Sequence, residues 1–256
     1  MKQSEIVREQ FNKQAEAFSN WTVTKNTEYL KGISEFIALN SNDSLLDVAC
    51  GTGDFTLFVS SMLKSAAGID VSEEMIKIAL KQKKNKNIEN VDFKIAEVAH
   101  IPYPDNSFDI VFSKSAFHHF DESETVFREM VRCCKPNGKI GICDIIAFEN
   151  PYVDNFFEVL EKEVDVSHNK TLSKQDFLKL FRQNNITQDK IFEVEIEHIV
   201  SEYLKHAVRN DDSEKRIDLL IEQAKTDKAI KSFWTFGKER EDTKFRMKVI
   251  LIIGRK

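Results

Sequence analysis

The residues best suited to chemistry fall in two groups. The first is Asp47-Val48-Ala49-Cys50-Gly51-Thr52-Gly53 with Asp70, about 19 residues beyond Gly51. Two glycines one residue apart let backbone N–H groups approach a ligand with no Cβ in the way, and a helix starting there turns its positive end toward it. A carboxylate about 20 residues later, at the end of the next strand, is where a βαβ unit accepts ribose hydroxyls. A GxG alone fits any strand-to-helix turn; with Asp70 it points to a nucleoside cofactor. The second group is His118-His119. Imidazole titrates near neutrality and can take a proton from a phenol or thiol, although an adjacent pair also fits capping and packing. His168 is a further candidate base. Two neighbouring imidazoles without a third ligand make a poor metal site, so no metal is expected.

These residues need a frame. Leu45, Leu46, Val48 and Ala49 form a short apolar run bounded by turn residues, as in a parallel strand covered on both faces. Phe55, Phe58, Val59 and Met62 then recur at helical spacing, so the period changes across Gly51–Gly53. Further strands are expected at 66–70, 91–95, 108–112, 139–146, 191–200 and 245–253. Helices are expected at 4–19 and 27–39, after Ser72, after an N-cap at Asp121, and through 148–181 with a break at 165–169. Ser113 stands at the carboxyl end of the fourth strand, where ligands of open parallel sheets collect.

Two cofactor classes share this unit. A dinucleotide fingerprint needs glycine at position 56, where this chain has Thr56. The chain instead resembles the class I S-adenosylmethionine (SAM) dependent methyltransferases, whose first motif, D-x-x-x-G-x-G, is matched by Asp47 through Gly53. Asp70-Val71-Ser72-Glu73-Glu74-Met75 resembles the second motif. The resemblance implies that Asp47, Gly51, Thr52 and Gly53 form the cofactor turn and that Val71 and Met75 flank the adenine. It implies that Glu97 accepts from the adenine amino group, that the Val98 N–H reaches a ring nitrogen, and that Ser113 lies at the site. The family more often has Asp at position 97 and a second acid at 99, where this chain has Ala99.

The amino-terminal helix, with Phe11, Phe18 and Trp21, resembles the lid of the small-molecule (methyltransferase type 11, UbiE-like) branch, which puts Phe18 over the cofactor. His118-His119 resemble that family's His-His after strand four, which not every member uses as a base. The Asn/Asp-Pro-Pro-Tyr signature of amino methylation on adenine or glutamine is absent; Ser113-Lys114-Ser115 stands in its place. The implied fold is a Rossmann-like seven-stranded, mostly parallel α/β sheet. Its last strand runs antiparallel between strands five and six, with helices on both faces and a helical lid.

Length and composition bound the rest. At 256 residues and 41% hydrophobic, with no Pro- or Gly-rich linker, the chain fits one α/β domain with insertions. The divisions expected are a lid at 1–40, a SAM-binding core at 41–147 and acceptor-lid insertions at 148–172 and 201–243. The aromatics Phe233, Trp234 and Phe236 fit either a cover over a partly apolar acceptor or packing of the lid onto the body. A net charge of −5 argues against a nucleic-acid partner. No apolar leader or membrane-length stretch is present, which predicts a cytoplasmic protein without a membrane partner. Four cysteines without C-x-x-C spacing read as reduced thiols. The expected function is methyl transfer from SAM to a small-molecule acceptor. The alternatives are a SAM-binding protein that transfers nothing and a nicotinamide-dependent dehydrogenase. Acceptor atom and oligomeric state stay open.

Overall fold

In the computed structural model, which describes residues 1–21 and 25–256, α1 (Gln3–Asn20) and α2 (Thr27–Ile37) precede β1 (Ser44–Val48). The cofactor-type unit follows as α3 (Asp54–Val59), β2 (Ser65–Asp70), α4 (Glu73–Asn85) and β3 (Val91–Ile95). Next come β4 (Phe108–Lys114), α5 (Ser123–Cys133), β5 (Cys134–Ile145), α6 (Pro151–Val164) and α7 (Lys174–Gln183). The chain closes with β6 (Thr187–Ile199), α8 (Val200–Leu204), α9 (Asp211–Thr226), α10 (Lys228–Lys231), β7 (Trp234–Thr235) and β8 (Lys244–Arg255).

The sheet order is β3-β2-β1-β4-β5-β8-β6. Strands β1 to β5 pair in parallel, and β8 runs antiparallel between β5 and β6. This is the expected arrangement with one strand added. The two residues of β7 pair with Lys244 and Phe245, continuing along β8 beyond Ile145, where β5 leaves it. Because the chain runs from β1 outward to β2 and later returns to β4 on the other side, β1 and β4 diverge at their carboxyl ends. Such a switch point opens a crevice for ligands.

Burial explains the order. Leu45, Leu46 and Val48 of β1 are fully buried, as are Ile110, Val111 and Phe112 of β4, so the central strands are covered on both faces. Leu46, Val48 and Val111 pack with Phe127 and Met130 of α5, while Leu45, Ile110 and Phe112 pack with Ile33 and Ile37 of α2. A third core, separate from these, joins Phe156, Phe157 and Leu160 of α6 to Tyr203, Ile217, Trp234 and Phe245. The late aromatics belong to it. The Phe233 ring lies 4.8 Å from Phe148, and that of Trp234 lies 5.1 Å from Phe245. These contacts are packing of the late segment onto its neighbours, the second of the two expectations for these aromatics.

Local caps mostly follow the sequence. Ser72 accepts from the Met75 N–H, and Ser173 with Asp176 closes a capping box on α7. Helix α5 is a correction: it begins at Ser123 with Glu122 as cap, not at Asp121, because a 3-10 turn over Phe117–His119 takes up the preceding chain. All four cysteines are free, three of them buried and Cys50 partly exposed. No helix among the described residues is long and apolar enough to cross a membrane.

Candidate active site

The turn after β1 needs its glycines for two different reasons. Gly51 has φ +53°, and a Cβ there would lie 3.7 Å from the Phe18 ring, so the turn has room but an unusual backbone. Gly53, at φ +75°, caps α3, and a Cβ there would come within 2.6 Å of Phe93, so it is required by packing beneath the turn. Asp70 at the end of β2 accepts from the Gly51 N–H at 2.8 Å and the Ser72 N–H at 2.9 Å. Burial raises its pKa, and these N–H donors partly offset that.

Asp47 is 1% exposed. Its Oδ2 accepts from the Thr56 hydroxyl at 2.6 Å, and its Oδ1 is buried with no hydrogen-bond partner among the described residues. Burial lifts its pKa to about 6, although the Thr56 bond works the other way. The residue that breaks the dinucleotide fingerprint therefore has a role: Thr56 holds a carboxylate whose second oxygen awaits a donor or a cation.

A cavity of ≈ 600 Å³ opens above the turn, within the range of roughly 300–1,000 Å³ common for small-ligand sites. Phe18, Asp47, Gly51, Thr52, Asp70 and Val71 form one wall; Glu97, Val98 and His119 belong to the rest. Of the other candidates, Gly53, Met75, Ser113, His118 and His168 lie outside the lining. Gly53 packs on Phe93, and Met75 is fully buried in the stripe that fastens α4 to the sheet. The Ser113 hydroxyl donates to the Val48 carbonyl at 2.9 Å and ties β4 to β1. His118 adjoins His119, ring centroids 4.2 Å apart.

The two histidines sit in contrasting surroundings. His118 Nδ1–H donates to Asp144 Oδ1 at 2.6 Å, and Asp144 also accepts from the N–H groups of Ala116, Phe117 and Ile145. Burial disfavours the His118 cation, but the Asp144 charge and hydrogen bond outweigh it and raise the pKa. Its Nε2 has no hydrogen bond among the described residues. His119 donates through Nδ1 to the Ser167 carbonyl at 3.0 Å. Burial and the adjacent His118 push its pKa well down, so it stays neutral. His168, 5% exposed, faces Glu158 through Nε2 at 3.3 Å and stacks on His118.

Polar side chains from distant elements complete this side. On α6 and just beyond it, Asp154, Glu158, Glu161 and Asp165 recur at spacings of four, three and four, which places them on one face. Glu161 accepts from the Tyr203 hydroxyl of α8, and Asp165 accepts from Gln14 of α1 at 3.0 Å. Gln3 of α1 donates to the carbonyls of His119 and Ser167, and Gln10 to that of Val208. The Phe11 ring lies 5.0 Å from His119, and Trp21 stacks on His206 at 4.6 Å. Sequence reasoning missed Asp144, Glu161, Asp165 and Tyr203. The acidic spacing on α6 was the available signal. Among the described residues no group of His, Cys, Asp and Glu could hold a metal ion.

A glycine turn, a ribose-type carboxylate and an open carboxylate oxygen in one cleft fit a nucleoside ligand that also carries a donor or positive charge. Comparison with known proteins agrees. A family profile described as a methyltransferase domain matches residues 39–185. The chain is 28% identical to the uncharacterized methyltransferase YcgJ of Bacillus subtilis over 95% of its own length and 96% of that protein's. The crystal structure of YcgJ matches with a TM-score of 0.82 over 89% of this chain and 97% of that one. A Bacillus halodurans structure, 24% identical, shares the fold with a TM-score of 0.81 over 89% of this chain and 98% of that one. The demethylmenaquinone methyltransferase of Lactobacillus johnsonii is 30% identical over 46% of this chain and 50% of its own length. The nicotinamide-dehydrogenase alternative is set aside by these matches. The chain belongs to the methyltransferase-domain family, and it is a class I SAM-dependent methyltransferase.

Proposed function

We propose that the protein transfers the methyl group of SAM to a small-molecule acceptor, with His118 as general base. The observation that carries this reading is the Asp144–His118 pair, 2.6 Å apart beside the cofactor cleft, with His118 Nε2 left free. SAM supplies a methyl already activated on a sulfonium, so the protein's work is to orient reactants and move a proton. Asp144 fixes the tautomer with the proton on Nδ1, and Nε2 would take the acceptor's proton as the acceptor's own lone pair bonds to the methyl carbon and the carbon–sulfur pair leaves on sulfur. His119, neutral and packed on Phe11, serves as wall.

For the cofactor, Asp70 takes the ribose hydroxyls, Glu97 and Val98 the adenine edge, and Val71 the adenine face. Asp47, Gly51 and Thr52 shape the turn beneath, and Phe18 covers it. Gly53, Met75 and Ser113 contribute by holding this frame. The acidic balance and the name of the demethylmenaquinone relative support a small molecule over a nucleic acid.

The test offers methyl-labelled SAM with a protein-free metabolite extract and, separately, bulk RNA. Label should enter the metabolites, and His118→Asn should lower kcat by about 10²–10⁴-fold with SAM affinity unchanged. Preferential labelling of RNA overturns the acceptor reading; full activity in His118→Asn overturns the base.

A further inference from the structure

The acceptor side holds four buried or half-buried carboxylates close together, and three are well served. Asp144 accepts from the N–H groups of Ala116, Phe117 and Ile145 and from His118. Asp165 accepts from Gln14 and from both the N–H and hydroxyl of Ser167. Glu158 accepts from the Thr171 N–H and from His168. Glu161, 5% exposed, has the Tyr203 hydroxyl alone, 2.8 Å from each oxygen. One hydroxyl is a poor replacement for the water that a carboxylate loses on burial.

A second group nearby is open in the same sense. His168 Nδ1 is buried with no hydrogen-bond partner among the described residues. In the neutral imidazole, with Nε2–H donating to Glu158, Nδ1 carries a lone pair and is an acceptor. His168 stacks on His118 at 5.7 Å; burial raises the Glu161 pKa and both imidazoles oppose that rise, so the open groups adjoin the proposed base and a cation placed there would favour the carboxylate. Both open groups want donors. The fixed charge around them is negative even with a cation on His118, because Asp144, Glu158 and Asp165 are held ionised while burial keeps His119 and His206 neutral. An anionic acceptor would meet desolvated like charge, whereas an ammonium brings up to three N–H donors and the opposite sign.

Resting on the small-molecule reading above, we propose that Glu161, Tyr203 and His168 form an acceptor subsite that selects small molecules carrying a cationic amine. The ammonium is anchored by Glu161, and the atom to be methylated faces His118 Nε2. There the acceptor's lone pair forms the new bond to carbon, the carbon–sulfur pair leaves on sulfur, and the displaced proton passes to Nε2.

The experiment uses the full chain and methyl-labelled SAM with a protein-free metabolite extract divided by ion exchange into cationic, anionic and unretained fractions. Label should enter products of the cationic fraction. Label confined to the anionic or unretained fraction overturns the charge selection while small-molecule transfer stands; no label in any fraction overturns the small-molecule reading itself. With the cationic acceptor isolated, Glu161→Gln should raise its KM at least about tenfold, with the calorimetric SAM Kd within about twofold of the parent. An unchanged KM overturns the subsite. If melting curves show that Glu161→Gln does not fold, Tyr203→Phe, which keeps the carboxylate but frees its position, should raise KM about threefold. An unchanged KM there counts equally against the proposal.

Discussion

Asp70 and His118 lie near the same edge of the sheet but are held by different kinds of partner. Asp70 is fixed by the N–H groups of Gly51 and Ser72, both within one βαβ unit. His118 is fixed by Asp144 on the next strand, and its surroundings are completed by Gln14 of α1, Glu161 of α6 and Tyr203 of α8. The Asp70 carboxylate is thus placed by backbone donors, which do not change when side chains do. The surroundings of His118, the proposed acceptor side, are made of side chains contributed by separate elements. A fold organised this way can exchange acceptors by substitution on α1, α6 and α8 without disturbing the cofactor turn.

Deleting residues 1–21 breaks the comparison most severely. It removes Phe11 from His119, Phe18 from above Gly51, and the amide bonds to Asp165, Ser167 and His119. The two cores around the sheet use no residue of α1, so the remainder should keep its far-ultraviolet circular dichroism while turnover is lost. Full activity in the truncated protein would show that the acceptor side is complete without α1.

Next in size is Asp70→Ala, which should weaken SAM by tenfold or more, because bonds to charged groups contribute about 1.5–3 kcal/mol. The structure adds a second effect: leaving the N–H groups of Gly51 and Ser72 unpaired should lower stability by about 1–3 kcal/mol, read in a urea melt. Unchanged SAM affinity in calorimetry would move the ribose contact elsewhere.

Asp47→Asn should act in opposite directions on folding and binding. A carboxyl whose pKa is raised from 3.8 to about 6 by burial favours the fold when protonated, and this contribution is lost as pH rises through about 6. Removing the charge should stabilise the ligand-free protein at pH 7 by at most about 3 kcal/mol, with the difference vanishing below about pH 4. SAM affinity should fall in the same variant. A lower melting temperature at pH 7 would show that Asp47 is not a strained group.

The smallest effect is a shift in the pH profile. Since His118 must be neutral to accept a proton and Asp144 raises its pKa, kcat should rise with pH on a limb lying above the ordinary histidine value of 6.5. The same limb retained in His118→Asn would remove the base from the mechanism.

The contrast between the two sides also explains what could be read without coordinates. Asp47, Gly51, Gly53 and Asp70 sit within one short unit whose spacing is set by a strand, a turn and a helix, so their meeting follows from local geometry. Strand order, including β8 between β5 and β6, followed from the resemblance those residues support. Asp144 and Glu161 were not legible in that way. An acidic face on a helix ordinarily meets water, and only the packing of α1 and α8 over α6 buries this one. Met75 and Ser113 illustrate a finer limit: each sits where a side chain can turn toward ligand or frame. In both cases it turned to the frame.

Helix α1 has one more consequence. Its wholly buried side chains are Gln10, Gln14 and Ala15, two carboxamides and a methyl, rather than a hydrocarbon stripe. When such a helix lifts, water can take over the amide bonds, and the apolar surface that becomes wet is chiefly that of Phe11 and Phe18 with the groups they cover. Opening should therefore carry a smaller change in heat capacity than that of a helix sealed by a full stripe of leucines. Calorimetry of SAM binding across a range of temperatures would register α1 as a seal that exchanges partners with the solvent rather than one that expels it.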